Sequence, residues 1–289
     1  MSAFIPWGSQ PLAEWAEKYA HGKFIELDGL QTHYLEKGEG QPVILIHGFY
    51  FDNHMWDKNI DALAEHFKVY AIDLWGFGGS TREMLDYSYP LYARQLQLFM
   101  DALAIPRAHL VGQSMGGGTI VQFAINHPQR ANKLVLVDPA VLPNKLPLMG
   151  KIANLPGVGE FLFGINTNFM RRLTLGNTFI YNKAIITDEF FDTVIRFQKV
   201  EGTTEILLDV LRRQFFHTLE AEARQLGEME LPVLITPGRH SAGVPIALSQ
   251  RLHTILQGSQ LEIFEQAGHC PNIESPDKFN HLALEFLTA

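Results

Sequence analysis

Short β-branched runs alternate along this chain with stretches whose apolar positions recur at helical spacing. The first pattern predicts strands and the second predicts helices. Residues 42–48 (PVILIHG) form an unbroken apolar run, the pattern of a strand covered on both faces. Residues 109–114 (HLVGQS), 133–138 (KLVLVD) and 232–236 (PVLIT) have the same character. Residues 68–80 read as a strand followed by a Gly-rich loop, and 261–265 as a last strand. Residues 23–27 and 32–37 flank Asp28-Gly29, a hairpin turn pair. Helical spacing fills 57–66, 90–104, 115–127, 246–257 and 276–287. The alternation predicts an α/β fold: a mostly parallel eight-stranded sheet with helices on both faces.

One interval breaks the rhythm. From 142 to 228 no strand pattern occurs, and helical runs follow a Pro- and Gly-rich opening. The interval reads as an all-helical insertion after the sixth strand, leaving 1–141 and 229–289 as the core. It holds Phe161, Phe163, Phe169, Phe179, Phe190, Phe191, Phe197, Phe215 and Phe216, of the chain's 20 Phe. Most are expected to form the insertion's own core. A few facing the main domain would wall an apolar pocket, since pockets favour such junctions.

Bulk properties narrow the class. A chain of 289 residues can bury a large core without staples. Cys270 is the only cysteine, so no intramolecular disulfide can form. A net charge of -8 with scattered Lys and Arg argues against nucleic acid or an anionic membrane as partner. The first residues lack a basic stretch followed by an apolar one, and no run is long enough to span a bilayer. These readings predict a cytoplasmic protein with no membrane partner.

The chemistry begins at 112–116, GQSMG. Gly-x-Ser-x-Gly alone is weak, but here a strand pattern precedes it and a helical one follows, the context of a nucleophile elbow. Gly112 and Gly116 suit a turn too tight for larger side chains. Gly117 and Gly118 would let the helix pack close to the strand. Ser114 just before a helix start places N–H groups and the positive dipole end beside a developing oxyanion. The run 47–56, HGFYFDNHMW, follows the third strand and suits a second donor. By position the donors are the N–H groups of Phe49 and Met115. His47 reads as a loop brace and His54 as a surface or pocket-rim residue. His269, after the last strand and before the final helix, can lean over the sheet edge towards Ser114. Cys270 beside it lacks the exposed turn of a nucleophile and reads as buried and inert.

These motifs, with 68–80 and AGHCPNIESP (267–276), resemble the α/β-hydrolase superfamily across nearly the whole chain. The resemblance is strongest to its capped serine hydrolases, among them small-molecule esterases and carbon–carbon bond hydrolases. It implies that 142–228 is a cap. It also implies an acid in the loop after the seventh strand, in a pattern Gly-x-x-Asp-x-x-x-Pro. Gly238 and Pro245 match, but Ser241 stands at the acid's place, and no Asp or Glu occurs from Leu231 to Gln260. An acid is needed to orient the histidine and stabilise its imidazolium. Asp138, ending the sixth strand, is the alternative, and some dehalogenases of the superfamily carry their acid there. An Asp at this place could also only cap the chain's entry into the cap. Asp73 ends another strand and reads as bracing the loop after it. With Asp138 as the acid, Ser241 becomes a bystander.

The leading expectation is a serine hydrolase of small to medium apolar carboxylic esters. Ser114, His269 and Asp138 would be catalytic, Phe49 and Met115 would form the oxyanion hole, and no cofactor or metal is called for. The second is a carbon–carbon bond hydrolase of ring-cleavage products. The resemblance implies a cap arginine for the substrate carboxylate there, and Val194 falls at that position with Arg196 two residues on. The third is a hydrolase fold kept for ligand binding, supported by the loop at 236–245 alone.

Overall fold

The computed structural model describes residues 7–144, 151–152, 154–165 and 167–289. Its eight strands are β1 (Lys23–Leu27), β2 (Leu30–Lys37), β3 (Pro42–Ile46), β4 (Lys68–Ile72), β5 (Ala108–Gln113), β6 (Ala131–Val137), β7 (Val233–Thr236) and β8 (Gln260–Leu261). They form one sheet in the order β1-β2-β4-β3-β5-β6-β7-β8. β2 runs antiparallel to both its neighbours, and the remaining pairs are parallel. The α/β class and the mostly parallel sheet are as the sequence implies.

The unbroken apolar runs have a direct cause. Successive side chains of a strand point to opposite faces. In β3, Ile44 and Ile46 join one hydrophobic core while Val43 and Leu45 join the other. In β6, Leu134 and Leu136 divide from Val135 and Val137 in the same way. Both faces are covered at these positions, so each is filled by an apolar side chain. Helices α1 (Leu12–Tyr19), α3 (Tyr89–Ala102) and α4 (Met115–Asn126) contribute to the first core, and α2 (Ile60–Ala64) to the second.

Only helices lie between β6 and β7 among the described residues: α5 (Val158–Ile165), α6 (Asn168–Thr174), α7 (Asp188–Ile195), α8 (Thr203–Arg213) and α9 (Glu220–Gly227), with short irregular turns between them. A separate core for this interval is not what the structure shows. Phe197 joins the first core of the sheet, Phe179 and Phe191 join the second, and Phe215 and Phe216 pack against the first. Phe161 and Phe169 are exposed, and the side chain of Phe163 lies outside the described residues.

After β7 come α10 (Ile246–Ile255), α11 (Pro271–Glu274) and α12 (Pro276–Thr288), the last packed into the second core. Two elements differ from the expectation. The strand expected over 261–265 is only Gln260–Leu261, followed by a single bridge from Phe264 to Gly238. At the sheet edge it has one partner, so its apolar pattern is not matched by pairing. Helix α1 carries no expectation from the sequence. It buries only Trp15, whose indole N–H donates to Arg196 O, so the element depends on a distant contact. Among the described residues no helix is long and apolar enough to cross a membrane.

Candidate active site

Ser114 stands between the last residue of β5 and the first of α4, with φ +50° and ψ -111°. A side chain in this backbone region is costly, and the surroundings hold it there. Ser114 N–H donates to Val137 O (2.9 Å), and Ser114 O accepts from Gly118 N–H (3.2 Å) and Ala140 N–H (3.0 Å). The turn is thus pinned to the end of β6. A Cβ on Gly112 would lie 2.3 Å from Gly116 O, and one on Gly116 would lie 2.2 Å from Ile46 O, so neither position admits a side chain. Gly118 serves a different neighbour from the one expected. Its missing Cβ makes room for the ring of Tyr89 on α3, not for a strand.

The Ser114 hydroxyl has no hydrogen-bond partner among the described residues. The structure therefore does not join it to His269 by a hydrogen bond. The loop carrying His269 is nonetheless fixed beside the elbow: Gln113 Nε2 donates to His269 O (2.8 Å). From the other side, His269 N–H donates to Phe179 O (2.8 Å), and the Phe179 ring lies 5.7 Å from the imidazole.

Asp138 follows β6 directly, has φ +42° and is fully buried. Its Oδ2 forms a hydrogen bond with His269 Nδ1, so the imidazole turns that nitrogen towards the end of β6. Asp138 Oδ1 accepts from Gly238 N–H (3.4 Å). Burial pushes the Asp138 carboxyl above the usual carboxylate range, while His269, Ser241 and Gly238 pull it back towards ionisation. Ser241 is not the bystander expected of it. Its hydroxyl donates to Asp138 Oδ2 (2.5 Å) and lies 3.2 Å from His269 Nδ1. The chain path explains this, because the loop after β7 still crosses the same ground that its acid would have occupied.

Phe49 lies three residues past the end of β3, and Met115 opens α4. Neither N–H has an acceptor among the described residues. For Met115 this is the ordinary state of a first-turn helical N–H. The Phe49 ring meets Phe77 (6.3 Å) and Phe216 (5.6 Å), the latter from the helical interval.

The other singled-out residues lie apart from this group or brace it. Leu74 N–H donates to His47 Nε2 (3.0 Å), so its proton sits on Nδ1, which donates to Gly48 O (2.9 Å). Burial pushes His47 down, consistent with a neutral brace. Asp73 accepts from Asn53 N–H (2.7 Å) and Gly79 N–H (2.8 Å) and pairs with His33 (2.7 Å). Burial alone would raise its carboxyl, but the His33 contact and nearby donors outweigh it and hold it low. His54 pairs with Asp52 and lines a groove whose walls include neither Ser114 nor His269. Cys270 is buried, and burial pushes its thiol well above the usual range. Among the described residues no cluster of three or more His, Cys, Asp or Glu could hold a metal ion.

Three features carried no mark in the sequence. Burial, followed by the nearness of His269, pushes His217 down to about 4. Tyr50 has φ +78° and stacks on Phe179 (5.0 Å, 16°). Arg171 on α6 is 1% exposed, stacks over the Trp7 ring at 3.6 Å, and has no hydrogen-bond partner for Nε or Nη1 among the described residues. The Tyr50 hydroxyl lies beside the Gln198 side chain and close to Arg171. Burial pushes Arg171 down to about 10, and the nearby Tyr50 pulls it up. Val194 by contrast is buried in the second core, and Arg196 stacks over Tyr19 (5.0 Å). The sequence contexts of His217, Tyr50 and Arg171 are ordinary, and only the tertiary fold brings Tyr50 to Phe179 and to Arg171.

Comparison with known proteins places the whole chain. Residues 41–163 match a family model described as the alpha/beta hydrolase fold. A 2-hydroxy-6-oxo-6-phenylhexa-2,4-dienoate hydrolase of Comamonas testosteroni is 32% identical over 93% of this chain and 96% of its own. A 2-hydroxy-6-oxononadienedioate/2-hydroxy-6-oxononatrienedioate hydrolase of the same organism is 29% identical over 90% and 92%. Among solved structures, a meta-cleavage product hydrolase from Pseudomonas fluorescens superposes with a TM-score of 0.81 at 29% identity, covering 93% of this chain and 98% of that one.

Proposed function

This chain belongs to the α/β-hydrolase family, and from that premise we propose that it is a serine hydrolase working through an acyl-enzyme. Ser114 is the nucleophile, His269 the base and Asp138 the acid. The observation that carries the reading is the buried Asp138–His269 hydrogen bond at the strand edge where the strained Ser114 turn is pinned. Asp138 on Nδ1 leaves Nε2 free to take the Ser114 proton and stabilises the imidazolium that results. The Phe49 and Met115 N–H groups, unspent among the described residues, receive the developing oxyanion. Water then attacks the acyl-enzyme, with His269 again as base. Residues 142–228 form the cap, and Phe179 and Phe216 line the apolar side of the site beneath it. We take small to medium apolar carboxylic esters as the substrates.

Two observations favour a second substrate class, a dienoate cleaved at a carbon–carbon bond. The relatives are named for that activity. Arg171 supplies a buried cation whose Nε and Nη1 have no hydrogen-bond partner among the described residues, near the Tyr50 that stacks on Phe179, which in turn meets His269. An uncompensated buried charge attracts an anion, and a substrate carboxylate is one.

Kinetics on p-nitrophenyl esters and on 2-hydroxy-6-oxo-6-phenylhexa-2,4-dienoate test both. Ser114→Ala should abolish turnover, and Asp138→Asn should lower kcat by about 10³–10⁴. Turnover surviving in Ser114→Ala would falsify the serine mechanism. Arg171→Met should raise KM for the dienoate and leave the ester unaffected. A dienoate turned over no better than the ester, with no response to Arg171→Met, removes the second class.

A further inference from the structure

Ser241 holds the place where relatives of this fold keep a carboxylate, and its contacts give it a defined task. A hydroxyl has one proton to donate and two lone pairs to offer. The Ser241 proton goes to Asp138 Oδ2 at 2.5 Å, and one lone pair accepts Val244 N–H at 3.1 Å. The remaining lone pair lies 3.2 Å from His269 Nδ1. The hydroxyl therefore cannot rotate away without breaking a bond, and it sits across the hydrogen bond that joins the acid to the base. The loop is held there as well. A Cβ on Gly243 would lie 3.1 Å from His269 Nδ1, so the chain passes directly over the ring.

We propose that Ser241 is a positioning residue of the Asp138–His269 pair: its hydroxyl donor fixes the Asp138 carboxylate against the imidazole. The proposal rests on the triad reading above. It also explains why the loop carries no acid. A carboxylate at 241 would set two like charges within hydrogen-bond distance in a buried site, and one of them would stay protonated. A neutral donor at that place supports the single carboxylate that β6 delivers.

The direction of the effect follows from charge. Removing the hydroxyl takes a donor from the ionised Asp138, so the pair binds a proton more readily, whichever of the two residues carries it. The apparent midpoint of the pair must therefore move up. The other titratable groups facing the pair are His217 from the helical interval and Cys270 from the His269 loop, with Glu274 on α11 acting on Cys270. None is altered by a substitution at 241.

The test is an NMR titration of the His269 Cε1–H signal in the wild type, Ser241→Ala and Ser241→Thr, with His269→Gln used to assign the resonance. Ser241→Ala should raise the midpoint by about one pH unit, the scale of one hydrogen bond to a charged group. Ser241→Thr keeps the hydroxyl and should return it close to the wild-type value. An unmoved or lowered midpoint in folded Ser241→Ala overturns the proposal, as does a Ser241→Thr midpoint equal to that of Ser241→Ala. The titration needs no turnover. Failure of the hydrolase reading would show instead as activity surviving in Ser114→Ala, so the two outcomes are separable.

Discussion

Ser114 at φ +50° and Asp138 at φ +42° occupy adjacent strand ends in a backbone region that side chains avoid. Strain of this kind persists only where neighbouring contacts impose it, and it gathers at working sites. Asp138 adds the cost of a buried charge, offset in part by three donors. Its raised carboxyl pKa has a definite consequence. Between the unfolded and the folded value the native state binds the extra proton, so this group's contribution to stability falls as pH rises through that window. At neutral pH the charged Asp138 is a net burden. Asp138→Asn should therefore lose activity yet melt no lower than the wild type at pH 7, and up to about 4 °C higher. Calorimetry at pH 7 checks this, and a clear drop in Tm would mean that the Asp138–His269 bond stabilises the fold more than burial costs it.

At the scale of elements, the strand–turn–helix from β5 to α4 was readable because its requirements are local. Gly-x-Ser-x-Gly between an apolar run and a helical one states the turn by itself. The tightness of that turn is measurable. Gly116→Ala would bring a methyl group against the Ile46 and His47 carbonyls, which belong to backbone and cannot swing aside. We expect a loss of about 1–3 kcal/mol in chemical denaturation, the range of forced overpacking. Stability within about 0.3 kcal/mol of wild type would contradict the contact. Elements that lean on distant partners were harder to read. α1 needs Arg196 for its one buried residue, and β8 stops early because the sheet edge offers only β7.

For the whole molecule, the two cores are shared between the sheet and the helical interval. Phe197, Ile206, Leu207 and Val210 complete the first core, and Phe179, Phe191 and Ile195 complete the second. Replacing 142–228 by a short linker should therefore expose apolar faces and leave a chain that aggregates or lacks near-UV circular dichroism. A well-folded, monodisperse deletion variant would show the interval to be independent of both cores.

What the sequence determined by itself is what repeats or closes within a few residues: strand and helix periodicity, the Ser114 elbow, and the lack of any acid from Leu231 to Gln260. These depend on backbone geometry, which neighbouring residues set. The tertiary structure decided which carboxylate meets His269, since Asp138 lies 131 residues away along the chain. It also decided that Ser241 bonds to that carboxylate and that Arg171 is buried against the Trp7 ring. A hydrogen bond needs its partners within about 3 Å. No local pattern encodes that proximity, because it follows from how strands and loops distant in sequence are brought to one edge of the sheet.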